Sequence, residues 1–240
     1  MRDKLNEECG VFGVYNTKTE DTSKLIYYGL FALQHRGQES AGIAVSDGQQ
    51  VSYYKDEGLV QEVFDPKLLN FLSGVHGIGH VRYSTTGGTT YENAQPVVIV
   101  SSKGQMALAH NGNLVNTKEL MGELESQGAT FQSSTDSETI LKLVAKNAME
   151  TGDVTEAIKK TMNVIRGGYA ILLLTQDKLY AFRDPMGLRP LIMGKLNKSY
   201  VFASESCAID SIKADVIRDV RPGEIICVDK SGIHSEQTEV

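Results

Sequence analysis

At 240 residues, 41% hydrophobic and 22% charged, the chain has the composition of a soluble globular domain with enough apolar material for a sizeable core. A net charge of -6 and the lack of any long basic run exclude the footprint of a nucleic-acid binder, and no apolar stretch is long enough to span a membrane. The three cysteines, Cys9, Cys207 and Cys227, are odd in number and widely spaced, so they form neither a disulfide framework nor a CxxC metal site; the reading is a cytoplasmic protein with no metal.

In chain order, residues 9–15 read as a strand behind a charged leader, residues 1–8, that has no apolar core and is not a secretory signal. Residues 22–35 place Leu25, Tyr28, Ala32 and Leu33 at helical spacing, with Thr22 or Ser23 as the N-cap. Residues 41–45 and 51–54 flank Asp47-Gly48, a hairpin signal. Strands follow at 77–83, 97–100 and 106–110, then helices at 116–127, 137–149 and 153–165, the last capped by Asp153. The final third is strand-rich, with segments at 169–175, 178–183, 191–194, 200–203, 216–219 and 224–228. Connectors as short as Gln176-Asp177 require antiparallel pairing. The pattern predicts one α+β domain of antiparallel sheets packed by helices.

Polar residues interrupt this pattern at a few places. Cys9, in Glu7-Glu8-Cys9-Gly10-Val11, is either a core thiol or a nucleophile at the start of a strand. In Gly79-His80-Val81-Arg82-Tyr83-Ser84-Thr85-Thr86-Gly87-Gly88, an arginine at a strand end precedes a small hydroxyl-rich loop, a combination suited to holding a carboxylate. His110-Asn111-Gly112-Asn113 is either a tight turn or a side-chain amide placed beside a backbone N–H, as an oxyanion hole requires. His110 then orients that turn. In Ser133-Ser134-Thr135-Asp136-Ser137-Glu138, Thr135 or Asp136 caps the next helix, or Asp136 holds a substrate ammonium. Leu33-Gln34-His35-Arg36-Gly37 is a polar cluster at a helix C-terminus. His76 and His80 sit four apart on a strand, a spacing that does not present a metal pair. Asp184 and Arg189 flank a turn and read as structural partners; Cys207, in a short helix, and Cys227, in a strand, read as core. An arginine for a carboxylate, an aspartate for an ammonium, a thiol and an oxyanion hole together fit an α-amino acid with a side-chain carboxamide.

Six motifs in one order, Cys9-Gly10-Val11-Phe12-Gly13, His35-Arg36-Gly37-Gln38-Glu39-Ser40-Ala41-Gly42, Gly79-His80-Val81-Arg82-Tyr83-Ser84-Thr85, Asn93-Ala94-Gln95-Pro96, His110-Asn111-Gly112-Asn113 and Thr135-Asp136-Ser137-Glu138, closely resemble the class II, N-terminal nucleophile, glutamine amidotransferases. The resemblance continues through Arg183-Asp184-Pro185-Met186-Gly187-Leu188-Arg189, Ala203-Ser204-Glu205-Ser206-Cys207 and Val220-Arg221-Pro222-Gly223-Glu224. It implies a four-layer αββα sandwich of two antiparallel sheets, and a glutaminase whose ammonia passes to a second domain.

By the same resemblance, Cys9 is the nucleophile, Asn111 and Gly112 form the oxyanion hole, Arg82 and Asp136 bind the two α-substituents of glutamine, Arg36 and Gly37 line the nucleophile's pocket, and residues 85–95 form a closing loop. Family members mature with the cysteine first, which makes residues 1–8 a propeptide and residues 9–240 the glutaminase domain. The likeness is greatest to the branch that continues into a phosphoribosyltransferase domain, forms homo-oligomers and makes 5-phosphoribosylamine from phosphoribosyl pyrophosphate for purine synthesis. That domain does not follow in this sequence. The magnesium and, in some members, the iron–sulfur cluster of that branch belong outside this segment, so no cofactor is expected here. Arg82-Tyr83-Ser84-Thr85 departs from the Arg-Trp-Ala-Thr of the glucosamine-6-phosphate synthase branch, which remains an alternative beside a non-catalytic glutamine-binding module.

Overall fold

The structure is a computed structural model and describes residues 9–15, 21–83, 91–101 and 104–238. The expectations for the leader, for Ser84 and for residues 85–90 of the closing loop lie outside them. Among the described residues the elements run β1 (Gly10–Tyr15), α1 (Thr22–Ala32), β2 (Ser40–Ser46), β3 (Val51–Glu57), α2 (Val60–Val63), α3 (Pro66–Phe71), β4 (His76–Arg82), β5 (Val97–Ser101), β6 (Gly104–Leu114), α4 (Thr117–Ser126) and α5 (Asp136–Thr151). They continue with α6 (Val154–Met162), β7 (Gly167–Leu174), β8 (Leu179–Arg183), β9 (Ile192–Leu196), β10 (Ser199–Ala203), α7 (Ser206–Ser211), β11 (Asp215–Asp219), β12 (Glu224–Asp229) and β13 (Gly232–Gln237).

The strands form a seven-stranded sheet, ordered β11-β9-β10-β1-β4-β2-β3, and a six-stranded sheet, ordered β13-β12-β8-β7-β6-β5. Their pairings are antiparallel. Three apolar clusters define the four layers. Val11, Ala44, Ile78, Ala107, Ala109, Ala170, Leu172 and Phe202 fill the space between the sheets. Phe12, Val14, Ile43, Val81 and Val201 turn the other way, onto α1, α2, α3 and α7. Leu108, Tyr169, Ile171, Leu173 and Phe182 pack under α4, α5 and α6. Because side chains alternate across a strand, a sheet covered on both faces reads as a nearly continuous apolar run, as in Ala170-Ile171-Leu172-Leu173-Leu174.

Local signals explain most boundaries. The Thr135 hydroxyl accepts from Glu138 N at the start of α5, and Gly152 ends that helix at φ 74° with its N–H on Ala148 O. Asp153 caps α6 through Glu156 N, and Asp65 caps α3 with Pro66 at its first position. The Asp47-Gly48 hairpin forms as expected, with Ser46 opposite Val51. The start of α1 differs from expectation. Thr22 and Ser23 lie inside the first turn and are buried, and the Ser23 hydroxyl donates to Leu69 O at 2.7 Å, so tertiary packing takes the group that would have capped. The helix also stops at Ala32, and Gln34–Arg36 forms a 3-10 turn. No described helix is long and apolar enough to cross a membrane.

Candidate active site

The middle of the first sheet delivers Cys9. β1 is held between β10 and β4, and its entry is fixed from three sides: Gly10 pairs with Val81, Val11 N donates to Ser204 Oγ at 3.0 Å, and Arg36 Nε donates to the Cys9 carbonyl at 3.1 Å. The thiol points back to the end of β4, where Sγ–H donates to the Tyr83 carbonyl at 3.6 Å. Burial pushes this thiol above its ordinary value; the positive charge of Arg82 works against the shift and the negative charge of Asp136 adds to it. Cys9 is therefore held as a thiol, and its attack on anything requires a base to take the proton.

The second sheet contributes β6, which runs past the start of β5. Leu108 pairs with Val97; two residues on, the Gln95 side chain replaces the missing strand, accepting His110 N at 2.7 Å and donating to His110 O at 3.4 Å. Leu114 N donates to Asp136 Oδ2 at 3.0 Å. Alternation along a strand puts the amides of residues 110, 112 and 114 on one edge. The Gly112 N–H thus faces the same open edge, between the Gln95 and Asp136 contacts. Gly112 has φ 155°, and a Cβ there would come within 2.2 Å of Gly168 O and 2.7 Å of His110 Nε2, so the position is reserved for glycine. Asn111 has the parity of Ala107 and Ala109, toward the first sheet; it is 1% exposed, and its Nδ2 has no hydrogen-bond partner among the described residues. The Asn-Gly pair is not a turn: β6 continues through it, with Asn111 opposite Ala170 and Gly112 opposite Tyr169 in β7. His110 correspondingly orients no turn. Its Nδ1 lies 3.3 Å from Ser137 Oγ and 3.4 Å from Asp136 Oδ1.

Cys9, Arg82, Gly112 and Asp136 line one cavity of about 820 Å³, within the size range of small-molecule sites. Arg82 enters from the end of β4 with Nη1 3.5 Å from Glu39 Oε2. Asp136 enters from the first residue of α5. Burial opposes its charged form, but His110 and the Leu114 and Ser137 N–H groups outweigh that and hold its carboxyl below the usual range. The cavity therefore presents a cation and an anion on walls that share a thiol and a backbone donor. Asn111 lies behind the wall formed by His110 and Gly112.

Arg36 and Gly37 sit differently from the expectation. Neither lines the cavity; Arg36 holds the Cys9 carbonyl and pairs with Glu205 Oε1 at 2.5 Å, and a Cβ on Gly37 would reach within 2.7 Å of the Val81 and Arg82 backbone. They support the nucleophile's strand from outside the cavity. His76 and His80 point between the sheets, donating to Thr175 O at 3.3 Å and His110 O at 3.0 Å. Burial pushes His80 down to about 3, so it is a neutral structural imidazole. Two supporting residues, Tyr83 and Glu205, have no role in the sequence reading, and Gln95 is expected there only as the end of the closing loop. Gln95 and Glu205 lie in quoted motifs, but their partners His110 and Arg36 are 15 and 169 residues away. Gly42 belongs with them, since a Cβ there would strike Gln95 O at 2.1 Å.

A family model described as a glutamine amidotransferase domain matches residues 80–211, more than half of the chain. The chain belongs to the glutamine amidotransferase domain family. An amidophosphoribosyltransferase of Methanocaldococcus jannaschii is 49% identical over 96% of this chain and 49% of that protein, and one of Bacillus subtilis is 44% identical over 97% and 48%. The chain thus spans about half the length of the curated relatives it matches. The solved glutamine phosphoribosylpyrophosphate amidotransferase from B. subtilis, complexed with ADP and GMP, superposes with a TM-score of 0.88 at 42% identity, over 95% of this chain and 49% of that one. The amidotransferase likeness also covers the fold class: two antiparallel sheets between helical layers.

Proposed function

We propose that this chain is the glutaminase domain of an amidophosphoribosyltransferase, hydrolysing glutamine to glutamate and ammonia through a cysteinyl thioester. The observation that carries the reading is the juxtaposition in β6: a buried Asn111 Nδ2 with no partner among the described residues and a Gly112 N–H on an open edge, beside a cavity that also holds the Cys9 thiol, Arg82 and Asp136. Arg82 binds the α-carboxylate of glutamine and Asp136 its α-ammonium, which directs the side-chain carboxamide to Cys9. Removal of residues 1–8 frees the α-amine of Cys9, a base that titrates near ~8 and needs no histidine. The thiol proton passes to this amine as sulfur bonds to the carboxamide carbon. Asn111 Nδ2 and Gly112 N–H hold the resulting oxyanion. Collapse breaks the C–N bond, the α-ammonium returns the proton to the departing ammonia, and a thioester remains. Water, activated by the same amine, adds to the thioester; glutamate leaves and the thiol is restored.

The ammonia is used by a phosphoribosyltransferase domain to make 5-phosphoribosylamine, in a cytoplasmic homo-oligomer. Residues 85–95 close over bound glutamine, with Gln95 already docked on His110. The relatives' names and the share of their length matched support this assignment. The magnesium and any iron–sulfur cluster of the whole enzyme reside in that other domain. The test is a glutamine-hydrolysis assay paired with intact-mass measurement. Turnover accompanied by loss of residues 1–8 supports the mechanism; full-length chains that turn over glutamine would refute the α-amine base. Stimulation by an added phosphoribosyltransferase partner, with phosphoribosyl pyrophosphate present, tests the acceptor.

A further inference from the structure

On the outer face of the first sheet, away from the cavity lining, a second set of reactive side chains converges. His35 stands in the 3-10 turn after α1, while Glu205 occupies the N-cap position of α7 without a side-chain capping bond and Cys207, exposed rather than in the core as expected, lies in its first turn. The packing of α1 against α7 brings them together across some 170 residues of sequence, with Cys207 Sγ 3.7 Å from Ala32 O. His35 Nε2 lies 3.0 Å from Glu205 Oε2, and Cys207 Sγ lies 3.6 Å from the same oxygen. All three donor atoms fall within 4.8 Å of one another, a grouping otherwise not found among the described residues.

We infer that His35, Glu205 and Cys207 form a three-ligand site for a thiophilic divalent cation of the zinc type. The donor set decides the class. An imidazole nitrogen and a sulfur are poor ligands for magnesium or calcium and good ones for Zn²⁺. In a tetrahedral site with bonds of about 2.0–2.3 Å, neighbouring donor atoms stand roughly 3.3–3.7 Å apart, so the observed separations need only small side-chain shifts. Glu205 is already divided: Oε1 takes Arg36 at 2.5 Å, which leaves Oε2 for the metal. Binding forms bonds from the metal to Nε2, Oε2 and Sγ, moves the imidazole proton to Nδ1, and releases the thiol proton to solvent. The fourth position is left to water. Glu205 joins this site to the chain of contacts that ends at the Cys9 carbonyl, because Arg36 touches both.

The full chain is titrated with ZnCl₂ by calorimetry, and with Co²⁺ by absorption, where a thiolate ligand gives a charge-transfer band in the near ultraviolet. The site predicts a single saturable Zn²⁺ event. It also predicts a Co²⁺ charge-transfer band that persists in Cys9→Ala and disappears in Cys207→Ser. His35→Gln weakens Zn²⁺ binding by at least about 10- to 100-fold, the loss that removing even an outer-shell partner of a ligand brings. Zn²⁺ further protects Cys207 of the unmodified chain from iodoacetamide, read by peptide mass; this requires no variant to fold. Absence of saturable binding, a charge-transfer band that survives in Cys207→Ser, or unprotected Cys207 at saturating Zn²⁺ would each overturn the inference.

Discussion

The cavity beside Cys9 and the cluster built on Asp184 and Glu224 hold similar side chains, and both lie in motifs dense enough to draw attention in the sequence. Asp184 is wholly buried and accepts four backbone N–H groups: Met186 and Leu188 on Oδ1, Tyr169 and Arg189 on Oδ2. Arg183 gives its guanidinium to the carbonyls of Gly187, Arg189 and Val220. Glu224 takes a two-point contact from Arg218, with Arg221 N and Ser235 Oγ on the same carboxylate. The two carboxylates and the Arg183 guanidinium are thus engaged by backbone and side chains of the cluster itself. The expected structural pairing of Asp184 and Arg189 is there, but through the Arg189 N–H. At the cavity the protein leaves capacity over, at the Asn111 amide, the Gly112 edge and the thiol. Other buried atoms also lack partners among the described residues, Tyr169 Oη and the Nδ1 of His76 and His80 among them; what sets Asn111 and Gly112 apart is their place beside a cavity that also holds a thiol, a cation and an anion, where a ligand can complete the bonding.

Substitutions that separate chemistry from stability break this comparison most directly. Cys9→Ala is expected to lower glutamine turnover more than about 1,000-fold while leaving the melting temperature unchanged, because the side chain makes one weak bond to Tyr83 O. Turnover within tenfold of the parent would remove Cys9 from the mechanism. Asn111→Leu is expected to cost about 100- to 1,000-fold in kcat, the usual loss of one oxyanion donor. Its stability should hold or rise, since a buried Nδ2 with no partner among the described residues is replaced by an apolar group. A matched fall in melting temperature and activity would make Asn111 a structural residue instead.

Asp184→Asn probes the other half. An amide has a single oxygen, so either orientation sets an NH₂ group against two of the four N–H donors. The expected cost is about 3 kcal/mol in urea unfolding, with kcat per folded molecule near the parent's. Selective loss of kcat without loss of stability would collapse the distinction between the two clusters.

What was legible in the sequence follows the same division between local and non-local information. The strands β7, β8 and β12 were readable because burial on both faces leaves apolar runs. The caps at Thr135 and Asp153 were readable because a cap acts within a few residues. β13 was missed: Ile233-His234-Ser235-Glu236-Gln237 is an edge strand, mostly exposed, held by its backbone pairing to β12 rather than by apolar alternation. α3 was missed because only Leu69 of its six residues is buried. At the site, residue types were readable and their geometry was not. Asn-Gly signals a turn until its partners Ala170 and Tyr169 are known, and those lie some sixty residues on. The same holds for Arg36, whose partner Glu205 only the packing of α7 supplies.

His80 sharpens the comparison with the smallest effect, because it is buried between the sheets with Nε2 bonded to His110 O and Nδ1 without a partner among the described residues. Its Nε2–H donates to His110 O, and burial holds it neutral down to about 3, against 6.5 when unfolded. Between these values the unfolded chain takes up a proton that the folded chain refuses, so stability falls as pH drops below 6.5, by at most about 1.4 kcal/mol per pH unit for one proton. Burial lowers His76 as well, so it adds to the same window. The carboxylates held below their ordinary values, Asp136, Glu138 and Glu224, act only as pH falls further, through the range in which unfolded carboxylates titrate. Comparing urea stability at pH 6.5 and near pH 5 therefore isolates the histidines. His80→Gln can keep a donor toward His110 O but cannot titrate; it is expected to lose about 2 kcal/mol less than the parent over that interval. An unchanged slope would mean that His80 takes up its proton in the folded state, and that the layer beneath the Asn111 amide is wetter than its packing implies.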